Sequence, residues 1–245
     1  LMAYGQYRLP YDVPANEFLT LEGKQLSTSR NWAVWVPEYL AQFPADPLRY
    51  NLAANMPESG DADFSWAEYV RRNNDELVAT YGNLVNRVLT LINRHFDGKV
   101  PVSTKSGTED AELITKTEFA LEKVANSIEE CRFREAVQGW MGLAHETNRY
   151  LEVKAPWQQV KKDLESAATT LYTALCAISG LRIMTYPIIP FSAQKLHEMM
   201  GFKGRVQDGE WDLKMPVPGQ ELGKVEVLFS KLDLSIIEEQ TGKLG

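Results

Sequence analysis

Residues 65–96, SWAEYVRRNNDELVATYGNLVNRVLTLINRHF, decide the fold. Ser65 with Glu68 three residues later has the form of a capping box, so a helix is predicted to begin there. No breaker other than Gly82 interrupts the run, and the pattern predicts one helix to about Phe96. At about 100 degrees per residue, Tyr81, Leu84, Val85, Val88 and Ile92 share one side, with Asn83, Arg87, Thr90 and Arg94 opposite. An apolar side of that length needs other helices to bury it.

Three further periodic stretches supply them, marked by Leu113, Leu121, Val124 and Ile128, by Phe133, Val137, Trp140 and Ala144, and by Leu164, Leu171, Leu175 and Ile178. Pro187 and Pro190 then break the chain before a shorter helix at residues 192–200. The remainder, 201–245, is rich in Gly and Pro and carries one strand-like run at 225–229. No repeat period argues for a solenoid. The expected architecture is mainly α: a helical bundle over 61–245, its tail beginning near 201, with a small N-terminal α/β appendage over 1–60.

Within 1–60, residues 18–21 read as a short strand, Glu22 and Gly23 as a turn, and 24–31 as a polar, mobile loop. Residues 32–41 and 46–56 read as helices, the second with Asp46 as N-cap and Pro47 at the first helical position. A Pro, Glu, Ser, Gly, Asp linker at 57–61 marks the expected boundary. The opening, LMAYGQYRLPYDVPANEF, is extended and Pro-punctuated, and it reads as the inside of a longer protein.

The chain has 245 residues, 44% hydrophobic and 24% charged, with 16 Gly and 12 Pro, which excludes a disordered, collagenous or disulfide-framework protein. Cys131 and Cys176 lie far apart in apolar, helix-like contexts and read as reduced thiols of a cytoplasmic protein. No run of about 18 uninterrupted apolar residues is present, so no membrane span is expected. The net charge of -7 argues against a general nucleic-acid binder. Its distribution does not, because Arg71, Arg72, Arg87, Arg94, Lys99 and Lys105 face only Asp75, Glu76 and Asp97 across that segment.

His95, His145 and His197 have no metal-ligand spacing and read as helix-surface or capping residues. The sequence carries no GxSxG, Walker or GxGxxG motif, so no catalytic residue and no metal site is assigned. Three features remain. Lys24, Gln25, Leu26, Ser27, Thr28, Ser29 and Arg30 follow a tight turn with hydroxyls and cations suited to phosphate oxygens; the same composition describes a plain polar loop. Asn83 and Arg87, one turn apart, can offer a base edge a donor-acceptor pair and a cationic fork, or form a solvated stripe. Trp157, after Pro156 at a helix start, either projects outward or packs on a neighbouring helix.

Together these segments resemble the C-terminal half of a methionyl-tRNA synthetase, a class I aminoacyl-tRNA synthetase, over essentially the whole chain. Residues 25–29, QLSTS, stand where that class carries KMSKS. Asn83-Leu84-Val85-Asn86-Arg87 with Asn93-Arg94-His95-Phe96-Asp97-Gly98 resembles the anticodon-reading helix, and Ala155-Pro156-Trp157 the APW motif. The stretch PIIPFSAQKLHEMM, 187–200, is similar to a helix start shared with the leucine, isoleucine, valine and cysteine enzymes.

The resemblance implies that Asn83, Arg87 and Trp157 read a CAU anticodon and that residues 24–30 contact ATP, used with magnesium in the full-length enzyme. It implies methionine tRNA and an upstream catalytic domain as partners, with no DNA or membrane. Gln25 and Thr28 replace the two lysines of KMSKS, which leaves Lys24 or Arg30 to supply the loop's cation. The HIGH signature and the zinc-bearing insertion are not in this sequence, and the resemblance places them upstream of Leu1. This chain alone is therefore not expected to activate methionine. Two alternatives remain open: the bundle of a sister synthetase, or a non-catalytic helical interaction module with an exposed apolar stripe. Convergence of Asn83, Arg87 and Trp157 in space separates them from the methionine enzyme.

Overall fold

Three short strands set the N-terminal unit: β1 (Leu19–Leu21), β2 (Lys24–Gln25) and β3 (Ala62–Phe64), in the order β2-β1-β3. The computed structural model describes residue 5 and residues 8–245, so the rest of the opening stretch, 1–4 and 6–7, lies outside the described residues. β1 runs antiparallel to β2, pairing Thr20 with Gln25, and parallel to β3, pairing Leu21 with Phe64. Asp63 locks the sheet by accepting from the Thr20 hydroxyl at 2.6 Å and the Gly23 amide at 2.8 Å. The expected linker at 57–61 therefore lies between two paired strands of one sheet.

Under this sheet, Leu21, Tyr39, Phe64, Trp66, Tyr69 and Val70 form a small aromatic core. It is covered by α1 (Val36–Gln42) and α3 (Trp66–Arg71), and by Leu232, Ile236, Ile237 and Leu244 from the far end of the chain. The first helix begins at Val36 rather than at 32, because Trp32 is held in a bridge with Ser27 and its indole N–H donates to the Leu21 carbonyl at 2.7 Å.

The next helix, α2, spans Ala45–Ala54 with Pro44 as its cap, so Asp46 lies inside it and does not cap it. Asp46 instead accepts the Ser192 amide at 2.6 Å, capping α9 (Pro190–Met199) from across the fold. Arg49, one turn on, donates to the carbonyls of Ile188 and Pro187 at 2.7 and 3.0 Å. α2 thus clasps the turn that sequence marks with two prolines.

The long run after Ser65 is helical throughout but not one regular helix. Ser65 accepts the Glu68 amide at 3.2 Å, as its spacing predicts. From Arg72 to Gly82 the chain widens into π-helix, and α4 (Asn83–His95) then resumes the α period. The Asn83 amide reaches five residues back, to the Val78 carbonyl, as well as to Thr80, which marks the wide turn. Leu84, Val85, Val88, Leu89 and Ile92 of α4 are fully buried, so the apolar side read from sequence is the one that meets the core. Asp97 and Gly98, both at left-handed φ, end the helix.

α5 (Thr108–Glu129), α6 (Phe133–Lys154) and α8 (Leu164–Thr185) complete the bundle with α4, joined by the single-turn α7 (Pro156–Gln159). α8 is the central member, a helix long and apolar enough by length and composition to cross a membrane. Nearly all of it, 94%, is buried within the protein, which makes it a core helix. The hydroxyls of Thr169, Thr173 and Thr185 donate to carbonyls one turn back, which satisfies them inside the core. At Gly180 an added Cβ would stand 2.6 Å from the Thr117 methyl, so α5 crosses α8 closely there.

The tail is not a free appendage. Residues 225–229 form no ladder; the chain bends at Leu228 and Phe229 and places Phe229 beside Tyr81, ring centres 6.0 Å apart. Asn73 and Asn74 of the π-helical segment hold the Ser230 and Leu232 backbones, and a helix the sequence did not predict, α10 (Ser235–Thr241), closes over the sheet core. Cys131 lies at the turn between α5 and α6 with φ 58°, not in a helix, while Cys176 is buried in α8.

Candidate nucleic-acid interface

α4 presents Asn83, Asn86 and Thr90 exposed and Arg87 half-buried on the side away from the core. Asn83 and Arg87 stand one turn apart in regular α-helix, because the π-helical segment ends immediately before them. Arg87 is half-buried because Trp157 lies against it, with its guanidinium carbon 4.8 Å from the indole centre. Among the described residues no carboxylate lies within ion-pair distance of Arg87, Arg94 or Lys99. Arg71 and Arg72, counted in the same basic segment, are bound to Glu68 and Glu76, and Lys105 pairs with Glu165. The free positive charge is narrower than the sequence suggests and centred on α4.

Trp157 reaches Arg87 through a sharp corner. Ala155 ends α6 at φ 49°, a left-handed position, and Pro156 starts α7 with its ring buried. The indole is half-buried: one part packs on the main core, so it is neither a fully outward side chain nor a core residue. Asn148, which the sequence did not single out, donates to the Thr80 and Ala144 carbonyls at 3.1 Å each. It ties α6 to the last turn before Asn83, so both halves of the site rest on one joint. Nothing in the local sequence marks Asn148, since its partner is distant in the chain.

The second candidate site is folded more tightly than a mobile loop. Lys24 and Gln25 belong to β2, Leu26 is exposed, and Ser27 bridges to Trp32. Lys24 places its ammonium 4.2 Å from the Trp32 ring centre, and Arg30 donates through Nε to Ser27 Oγ at 3.2 Å. Ser27 and Ser29 hydroxyls lie 3.3 Å apart, and Thr28 is exposed in the turn. Two cations and three hydroxyls on one hairpin form a donor set that fits phosphate oxygens. Lys24 and Arg30 are paired with no acid among the described residues.

His145 is exposed and His95 half-buried, whereas His197 is buried, not a surface residue. Among the described residues no group of His, Cys, Asp and Glu could hold a metal ion.

A signature hairpin on a small sheet, followed by a helical bundle with a polar helix face, is the arrangement of a class I aminoacyl-tRNA synthetase. Residues 1–89 match the family described as tRNA synthetases class I (M), and residues 100–244 match the anticodon binding domain of methionyl tRNA ligase. The chain belongs to the methionyl-tRNA ligase family. It is 51% identical over 245 residues to the methionine--tRNA ligase of a Dehalococcoides mccartyi strain, covering 100% of this chain and 44% of that protein. The free-state methionyl-tRNA synthetase of Mycobacterium tuberculosis superposes with a TM-score of 0.82 at 25% identity, over 95% of this chain and 46% of that one. The same protein in complex with methionyl-adenylate matches in fold with a TM-score of 0.79 at 24% identity, over 86% and 42% of the two chains. The chain therefore spans less than half the length of the relatives it matches.

Proposed function

We propose that this chain is the tRNA-binding part of a methionine-tRNA ligase and that Asn83, Arg87 and Trp157 read the CAU anticodon of methionine tRNA. The observation that carries the reading is the meeting of Arg87 and Trp157 across two helices distant in sequence. An aromatic face accepts an unstacked base, and the adjacent Asn and Arg supply donors and an acceptor to its edges. The net negative charge of the chain is compatible with this, because recognition rests on a local cation, stacking and base edges rather than on phosphate neutralisation.

The whole protein joins methionine to its tRNA in the cytoplasm, in association with a catalytic domain of the same protein. ATP, with magnesium, would supply the adenylyl group that activates the methionine carboxylate, with pyrophosphate as the leaving group. The hairpin residues that would hold its phosphates are Lys24, Ser27, Ser29 and Arg30, and their role is to position and offset negative charge. Gln25 and Thr28 carry no charge for that purpose.

The test is direct. This chain should bind a CAU stem-loop more tightly than the same stem-loop with a changed anticodon, and should show no methionine-dependent ATP-pyrophosphate exchange. Equal affinity for both stem-loops would sink the recognition claim, and measurable exchange would sink the division of labour.

A further inference from the structure

Away from the Arg87 corner, the C-terminal end of α8, α9 and the segment 203–214 enclose a cleft of about 350 Å³. Its floor is Arg182, only 3% exposed. Arg182 Nη1 lies 2.8 Å from His197 Nδ1, and a guanidinium can only donate, so Nδ1 is the acceptor. His197 then donates from Nε2 to the Lys203 carbonyl at 3.1 Å and is neutral. Burial pulls the His197 imidazole below its ordinary range, in keeping with that assignment.

The arginine is left without a counter-charge. Its Nε is buried with no partner, and among the described residues no carboxylate lies within ion-pair distance of it. Burial pulls the guanidinium down to about 10, although Asp212 acts against that from further off. The guanidinium is packed on the Phe202 ring at 4.6 Å, and Lys214 approaches the same ring at 5.5 Å. Lys203, Arg205 and Lys214 stand exposed at the cleft, and none of them is in an ion pair. Three exposed acids, Asp208, Glu210 and Asp212, also line it, so four cations outnumber them by one.

A buried cation lacking both a counter-ion and one hydrogen-bond partner is a costly arrangement that a bound anion relieves. Guanidinium groups meet such anions through charge-assisted bonds, and flanking lysines add point charges. We propose that this cleft binds an oxyanion of the phosphate class, seated on Arg182 and flanked by Lys203, Arg205 and Lys214. The site is independent of the anticodon reading, since it shares no residue with the Arg87 corner. The phosphate is either a free ligand or part of an RNA backbone.

Inorganic phosphate is the probe, titrated calorimetrically into this chain in phosphate-free buffer. The expected result is saturable binding whose dissociation constant rises about tenfold or more in Arg182→Met, the loss of one charge-assisted contact. Lys203→Ala with Lys214→Ala, at exposed positions, should weaken binding similarly and keeps the test usable if Arg182→Met does not fold. Asp212→Asn should tighten binding by removing a nearby negative charge. If Asp212→Asn instead lowers the melting temperature in phosphate-free buffer and leaves phosphate binding absent, Asp212 is the partner of Arg182 and the proposal is wrong. Competition between phosphate and methionine tRNA, lost in Lys203→Ala, identifies an RNA backbone as the source; phosphate binding without competition identifies a free ligand. No saturable binding to the unmutated chain overturns both.

Discussion

The Arg87 guanidinium carbon lies 4.8 Å from the centre of the Trp157 indole, joining α4 to the corner between α6 and α7. A contact of this kind contributes roughly 0.5–1 kcal/mol at an exposed site, too little to hold two helices together. The bundle is held by its core. What the contact does is present an aromatic surface and a cation at fixed relative positions beside Asn83.

The first prediction concerns Trp157. Base stacking on an aromatic side chain is worth about 1–3 kcal/mol, so Trp157→Ala should weaken binding to a CAU stem-loop about 5- to 150-fold. Because part of the indole packs on the core, the same change should also cost about 1–2 kcal/mol of stability, roughly half the loss at a fully buried aromatic. Binding and thermal unfolding should be measured on one preparation. A collapsed melting temperature with unchanged affinity would make Trp157 a packing residue only.

The second concerns the hairpin. Lys24→Ala and Arg30→Ala in the intact enzyme should each slow methionine-dependent ATP-pyrophosphate exchange more than Thr28→Ala does, because Thr28 brings no charge to a phosphate. Unchanged exchange in both cationic variants would exclude the hairpin as the source of the phosphate contact.

Much of this was legible locally. Ser65 and Pro156 act where they stand, through backbone positions a few residues away, and the apolar side of α4 follows its own period. Asp46 misled because its partner is Ser192: the carboxylate caps a helix it does not belong to, and no local pattern encodes that. Residues 57–61 look like a boundary, yet β1 and β3 pair around them. The wide turns of 72–82 were hidden because a π-helix and an α-helix use the same kinds of residue. Of the residues proposed for the site, Asn83, Arg87 and Trp157 stand in motifs visible in the sequence, whereas Asn148 acts through Thr80 across the fold.

Asp110 gives a third prediction. Burial alone raises its carboxyl, but the Tyr150 hydroxyl, the Gly107 amide and Lys154 together hold it below its ordinary value. Tyr150 Oη and the Gly107 amide each donate at 2.6 Å, and Lys154 Nζ is 3.2 Å away. A depressed carboxyl contributes stability that is present above its unfolded value and lost as pH falls through the folded one. The melting temperature should therefore fall on acidification below about pH 4 less steeply in Asp110→Asn than in the unmutated chain. At neutral pH, Asp110→Ala should cost about 1–3 kcal/mol, since the Tyr150 hydroxyl and the Gly107 amide lose their acceptor while Lys154 keeps Glu109. Identical acid profiles would remove Asp110 from the account.

The two thiols should separate chemically. Burial pushes the Cys176 thiol up to about 12, so at pH 8 it should resist a thiol reagent until the protein unfolds, while half-buried Cys131 reacts in the folded state. The sign for stability follows: folded Cys176 stays protonated where the unfolded chain does not, so its contribution is present below about pH 9 and declines above it. Two thiols reacting at equal rates in the native protein would contradict the buried position of Cys176.

The most direct measurement is the affinity of Arg87→Ala for two stem-loops, one carrying CAU and one with a changed anticodon, at a single fixed salt concentration. If Arg87 reads a base edge beside Trp157, the variant loses affinity for the CAU stem-loop and loses less for the other, so discrimination collapses. Equal losses on both stem-loops would make Arg87 a phosphate contact and contradict its assignment to anticodon reading.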